Sequence, residues 1–170
     1  AFYSRASLVA GDTNESHDIY VRDLQLAQTV LASKSSGGVI GNGSSQTPAI
    51  SSDGRYVAFF SFASNLVASD TNNQGDIFVH DLDTSETFRV SVASDGTQAN
   101  NPSFDPAISE TGRSVAFDSL SPNLVSGDTN STQDVFVHER LVATPDFGAD
   151  KAYSFGFPAE AAFSKDPVNL

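Results

Sequence analysis

The sequence predicts an all-β fold assembled from repeated small sheets, and two features carry that prediction. One is an acidic phrase that returns at a fixed interval: Asp12-Thr13-Asn14, Asp70-Thr71-Asn72 and Asp128-Thr129-Asn130 stand 58 residues apart. A long fixed period marks a chain of stacked, equivalent units rather than one irregular core. The other is the content between the phrases. Short runs rich in Val, Ile, Phe and Tyr, residues that fit a pleated surface, alternate with turns bearing Gly, Asp and Ser.

The second copy is complete and sets the template. Residues 47–51 predict a first strand, and Asp53-Gly54 supplies hairpin turn chemistry. Residues 55–61 predict a second strand, and a loop through Asn65-Leu66-Val67 leads to the Asp70 phrase. Residues 76–82 predict a third strand, Asp83-Thr84-Ser85 a turn, and residues 87–92 a fourth. Ser94-Asp95-Gly96 then opens a polar connection. In the third copy Pro106-Ala107-Ile108-Ser109 repeats Pro48-Ala49-Ile50-Ser51, and Val115-Ala116-Phe117 and Asn123-Leu124-Val125 follow in step. The first copy begins midway. Ala1-Phe2-Tyr3-Ser4 aligns with Ala58-Phe59-Phe60-Ser61, one residue being missing before Leu8-Val9.

Four short strands joined by tight turns describe a blade of a β-propeller. A four-stranded sheet has two faces and covers neither alone; stacked neighbours cover both, which allows Ile77, Phe78 and Val79 to be consecutive. The chain thus reads as antiparallel four-stranded propeller blades, about two and a half of them, in an incomplete ring. Residues 1–46 form a partial first blade, 47–104 a complete second, 105–141 a third without a clear fourth strand, and 142–170 a divergent tail. A solenoid of stacked sheets is the alternative arrangement of the same units.

The combined phrase is long. It runs Pro48-Ala49-Ile50-Ser51, Gly54-Arg55, Val57-Ala58-Phe59, then Asn65-Leu66-Val67, Asp70-Thr71-Asn72 and Asp76-Ile77-Phe78-Val79, closing on Asp81-Leu82. It resembles the repeat of the TolB-like, WD-repeat-like β-propeller family, over residues 1 to about 140. The resemblance implies a bacterial or archaeal exported protein, extracellular, at the cell surface or periplasmic, that offers a binding platform. Propellers host many activities, so the fold alone names no function.

A ring needs roughly four to eight blades, and three arrangements meet that need. The chain is a piece of a larger propeller, or two chains pool their blades, or the tail adds a strand to the broken first blade or to a neighbouring subunit. The start at Ala1 rather than Met predicts a processed form or a piece of something longer. The register fails in the tail: the fourth strand of copy three would fall at Pro145 to Gly148, where Pro and Gly form strands poorly. Ala162-Phe163 and Asn169-Leu170 echo Ala116-Phe117 and Asn123-Leu124, as a decayed fourth repeat would.

The acidic phrase is the candidate site. Asp12, Asn14 and Asp18 occupy positions 1, 3 and 7 of a short loop, as do Asp70, Asn72, Asp76 and Asp128, Asn130, Asp134. Alternating oxygen side chains in a tight turn can converge on a hard cation such as Ca²⁺, which takes six to eight oxygens. No His, Cys or thioether recurs in phase across all three loops, which disfavours a softer metal. The competing interpretation is Asx-turn chemistry, in which Asp and Asn cap their own backbone. If calcium binds, its role is structural.

Composition narrows the partners. A net charge of −12 argues against nucleic acid, whose phosphates require basic patches, and no apolar run approaches the ~20 residues that span a bilayer. The absence of Cys removes disulfides and thiol chemistry. Arg22, His80 and His138 recur at one repeat position, each before an acidic residue, and this predicts a bond between blades rather than catalysis. No Gly-x-Ser-x-Gly elbow or phosphate loop is present.

The expected function is non-enzymatic: an exported structural, adhesive or protein-interaction scaffold with calcium-stabilised blade loops, whose partners are itself or the remaining blades of a larger protein, with a protein or glycan ligand possible. The alternatives are the propeller portion of a larger secreted peptidase or lyase, or a carbohydrate-binding module using Tyr153, Phe155 and Phe157 as stacking platforms.

Overall fold

The computed structural model describes residues 1–140. Their β-branched and aromatic runs form ten strands in three antiparallel sheets, and no helix occurs among the described residues. The first sheet has the order β1 (Phe2–Ser4), β2 (Asp18–Asp23), β3 (Gln28–Leu31). The second is β4 (Ser45–Ile50), β5 (Tyr56–Ser61), β6 (Asp76–Asp81), β7 (Thr87–Arg89). The third is β8 (Ser103–Ile108), β9 (Ser114–Ser119), β10 (Asp134–Glu139). The strand and decayed repeat considered for residues 142–170 lie outside the described residues.

Two strands depart from the sequence expectation for physical reasons. The first strand of a blade starts two residues early, at Ser45, because the ladder to β5 is interrupted by a bulge between Gln46 and Ala49. Thr47 there has φ +46°, and Pro48, which lacks an N–H, follows it; the equivalent bulge in β8 holds Asp105 at φ +49° before Pro106. Proline is tolerated because β4 and β8 are edge strands. The fourth strand ends at Arg89 rather than at residue 92. Val90 still donates to the Ile77 carbonyl, at 2.8 Å, but the Ile77 N–H then turns to the Ser91 hydroxyl, at 3.2 Å, in place of a backbone carbonyl.

Consecutive sheets lean on one another, an open run of propeller-type blades. Ile19 and Ala32 of the first sheet pack with Val57, Phe59, Leu66 and Phe78 of the second blade. Ala58, Phe60, Ile77, Val79 and Val90 pack with Val115, Phe117 and Leu124 of the third. All six residues of β6 are buried, since both faces of the middle sheet are covered. The units match at the level of ring geometry. Phe2 on Tyr20, Phe59 on Phe78 and Phe117 on Phe136 are stacked at 5.8, 6.0 and 6.0 Å between centroids.

Polar side chains fix the spacing between blades. Asn65 donates to the Ile40 carbonyl at 2.9 Å and accepts the Asn42 N–H at 2.9 Å; Asn123 does the same with Gln98 and Asn100, at 2.8 and 3.1 Å. The Asn-Leu-Val phrase therefore joins a loop to the incoming connection through its Asn and anchors in the core through its Leu. Ser45 and Ser103 donate their N–H groups to His17 and Gly75 of the preceding blade, at 2.7 and 2.9 Å.

Candidate functional site

Each acidic loop is bent by one residue in left-handed conformation: Glu15, Asn73 and Ser131, with φ of 56°, 55° and 56°. The loop Asn holds that bend. Oδ1 of Asn14, Asn72 and Asn130 accepts the N–H two residues on, from Ser16, Gln74 and Thr132, at 2.9, 3.1 and 2.9 Å, which is an Asx-turn. The amide nitrogens of the first two reach the connection that follows: Asn14 donates to the Gly41 carbonyl and Asn72 to the Ala99 carbonyl, both at 3.0 Å. The Asn72 amide also donates to Asp76 Oδ2, at 2.9 Å.

The second aspartate does more than begin the third strand. Asp18 and Asp76 are fully buried, and their Oδ1 atoms accept the hydroxyls of Ser33 and Ser91, each at 2.6 Å. Those serines also accept the N–H groups of Ile19 and Ile77. Loop, third strand and fourth strand are thereby stitched together at one carboxylate.

Charge divides the three loops. In the second, Arg89 from the end of β7 brings Nη1 to 3.0 Å from Asp70 Oδ1 and 3.5 Å from Asp76 Oδ2, with a side chain 8% exposed. The contact is electrostatic, because Nη1 makes no aligned hydrogen bond. Burial and mutual repulsion push the Asp70 carboxyl up despite Arg89, and burial raises that of Asp76. In the first loop the residue equivalent to Arg89 is Leu31, and Tyr20 replaces Phe78: β2 pairs Tyr20 with Leu31 as β6 pairs Phe78 with Arg89. The Tyr20 hydroxyl donates to Asp12 Oδ2, while Asp18 Oδ2 is buried with no hydrogen-bond partner. In the third loop, which is more exposed, the Asn130 amide donates to both oxygens of Asp134, at 3.2 and 3.0 Å.

The sequence-predicted ligands are thus brought together within each loop, but with different fits to a hard cation. The second loop already carries its own cation in Arg89. The third has the Asp134 oxygens engaged by an amide. Only the first leaves a buried carboxylate oxygen free. Among the described residues, no group of three or more His, Asp and Glu side chains is placed to hold a metal. Arg89, Tyr20, Ser33 and Ser91 were not singled out by sequence reasoning. Their signal is the substitution pattern between copies at equivalent positions, Arg against Leu and Tyr against Phe.

In the first two copies the repeated basic position bonds the next strand of its own blade rather than a neighbouring blade as expected, and in the second the threonine it meets carries the link across. Arg22 donates to the Thr29 hydroxyl at 3.1 Å, and His80 Nδ1 lies 2.8 Å from the equivalent hydroxyl of Thr87. Thr87 in turn donates to the Lys34 carbonyl on the connection from the first blade, so His80 must donate from Nδ1. Its Nε2 is buried without a partner. Burial, aided by the Lys34 charge, lowers the His80 pKa to about 4. A wholly buried, neutral imidazole committed to a threonine is a structural link.

One further surface stands out. Ile77 and Val79 are fully buried under the third blade, whereas their equivalents Val135 and Val137 on β10 are 72% and 64% exposed. A groove of about 380 Å³ runs beside them, lined by Val92, Phe117, Leu124 and Phe136 among others.

No family model matches the chain, and no curated protein matches it. Among solved structures, TolB from Acinetobacter baumannii is similar at 18% identity and a TM-score of 0.43, over 77% of this chain and 26% of that one. A protein assigned as TolB from Agrobacterium tumefaciens is similar at 18% identity and a TM-score of 0.43, over 75% of this chain and 44% of that one. The chain therefore spans between about a quarter and under half of these proteins' lengths, and the all-β blade architecture stands on its own strand ladders.

Proposed function

We propose that this chain is a non-enzymatic, exported scaffold that works by presenting blade faces to other sheets, its first partners being copies of itself or the further blades of a larger protein. The observation that carries this reading is the exposure of Val135 and Val137 at positions whose equivalents are sealed in the preceding blade. A face of that chemistry is complementary to the back of a blade: the second and third blades cover Ile19 and Ile77 with an aromatic pair and a leucine. The first blade offers the same set in Phe2, Tyr20 and Leu8, of which Phe2 and Leu8 are 38% and 45% exposed.

The non-enzymatic reading is supported by how the reactive groups are used. The buried aspartates brace strands or pair with Arg89, and the one fully buried histidine bonds a threonine. Export, whether to the periplasm, the cell surface or beyond, follows from the resemblance of the repeat and fits a fold that needs no disulfide.

Sedimentation velocity tests the reading. The wild-type chain should associate as its concentration rises through the micromolar range, and Val137→Asp should hold it monomeric, since a charge buried in that contact has no partner. A wild type that stays monomeric at every concentration, with the variant indistinguishable from it, would overturn the scaffold role.

A further inference from the structure

We propose that the first acidic loop is a binding site for a divalent cation of the calcium class, and that the second loop is the same site with the cation replaced by the chain's own Arg89. This is independent of the scaffold reading and is tested separately from it.

The argument compares equivalent atoms. In both loops the second aspartate uses Oδ1 to accept a serine hydroxyl. In the second loop its Oδ2, together with Asp70 Oδ1, faces a guanidinium nitrogen at 3.5 and 3.0 Å, and that Oδ2 also accepts the Asn72 amide at 2.9 Å. That nitrogen marks where positive charge is held between the two carboxylates. In the first loop the guanidinium is gone, because Leu31 stands in its place. The carboxylates are not gone. Asp12 is 7% exposed and Asp18 fully buried, and Asp18 Oδ2 makes no hydrogen bond. Of the two carboxylates the Tyr20 hydroxyl meets only that of Asp12, lying also 3.1 Å from the Ala6 carbonyl, and the Asn14 amide bonds the Gly41 carbonyl.

An ionised carboxylate oxygen left bare in a protein interior is costly unless a charge or donor meets it. A divalent ion seated where Arg89 Nη1 lies in the second loop would meet Asp18 Oδ2 and Asp12 Oδ1 together. Water, reaching the loop past exposed Gly11 and Thr13, would complete a coordination shell of six to eight oxygens. With only two carboxylates, the affinity expected is that of extracellular calcium modules, a Kd of about 10⁻⁴–10⁻³ M. The third loop is not such a site, since both Asp134 oxygens already accept the Asn130 amide.

Terbium(III), a calcium surrogate whose emission is sensitised by a neighbouring tyrosine, reads this loop selectively. Tyr20 touches Asp12, while the second and third loops have Phe78 and Phe136 at that position. The full 170-residue chain should give saturable terbium emission that Ca²⁺ displaces and KCl of equal ionic strength does not. Ca²⁺ should also raise its melting temperature. Asp18→Asn should abolish both effects. Leu31→Arg, which supplies the guanidinium of the second loop, should raise the calcium-free melting temperature and remove the response to Ca²⁺. Should Asp18→Asn fail to fold, Asp12→Asn makes the same comparison. Absence of Ca²⁺-displaceable emission in the wild type, equal displacement by KCl, or a calcium response unchanged in Leu31→Arg would each overturn the proposal.

Discussion

Single residues carry the differences between otherwise equivalent repeats, and two of them make predictions. The residue before each acidic phrase is left-handed: Gly11 at φ +89°, Ser69 at +63° and Gly127 at +86°. Glycine adopts that conformation without steric cost and serine does not. Nothing lies within 4 Å of where a Cβ would sit at Gly11 or Gly127, so the difference is backbone strain rather than contact. Ser69→Gly should stabilise the chain by about 0.5–1 kcal/mol, read as a higher urea midpoint; a lower midpoint would show that the serine side chain has a role in the loop. The second residue is His80. Its folded pKa of about 4 lies below the ordinary 6.5, so the unfolded chain takes up a proton first as pH falls. The stability it contributes is complete above about pH 6.5 and is lost between there and about pH 4, by about 3 kcal/mol at most. His80→Asn keeps a donor for Thr87 but does not titrate, so its denaturation midpoint should vary less over that range. Parallel curves for wild type and variant would refute this.

At the scale of the strand, position in the stack decides what an identical sequence role is worth. Ile77 and Val135 are equivalent, yet the first is wholly buried and the second 72% exposed. Ile77→Ala should therefore cost about 2–5 kcal/mol through lost burial and an unfilled cavity, whereas Val135→Ala should change stability by less than about 0.5 kcal/mol. Equal effects in denaturant unfolding would mean that β10 is covered as β6 is. The strands themselves were legible, because β-branched and aromatic runs between Asp-Gly and Asp-Thr turns leave few alternatives. Their ends were not. The early start of β4 depends on a bulge with Thr47 at positive φ, which no propensity signals, and the early stop of β7 depends on the Ser91 hydroxyl capturing the Ile77 N–H. The acidic loops were legible as sites of shared geometry, since Asx-turns and strand-starting aspartates recur in all three. Their electrostatic inequality was hidden by the repeat itself. A reading that seeks sameness passes over Arg89 and Leu31, which lie far from the phrase in sequence and beside it in space.

For the whole molecule, the opposing influences are the apolar face that β10 exposes among the described residues and a net charge of −12. Two copies that bring β10 of one against the first blade of the other bury hydrophobic surface, a gain that changes little with modest salt. They also bring two strongly negative bodies together, and that repulsion is screened over a Debye length of about 10 Å at 0.1 M salt and about 30 Å at 0.01 M. Association should therefore strengthen as ionic strength rises, the reverse of what a contact built on ion pairs would do. Sedimentation velocity at fixed protein concentration, in about 0.01, 0.1 and 0.5 M NaCl, should show the monomer fraction falling stepwise in the wild type and staying constant in Val137→Asp. A monomer fraction that grows with salt would place the contact on charged side chains such as Arg113 and Glu139, which are exposed and paired at 3.1 Å, and would remove the apolar face of the third blade from the account of how this chain assembles.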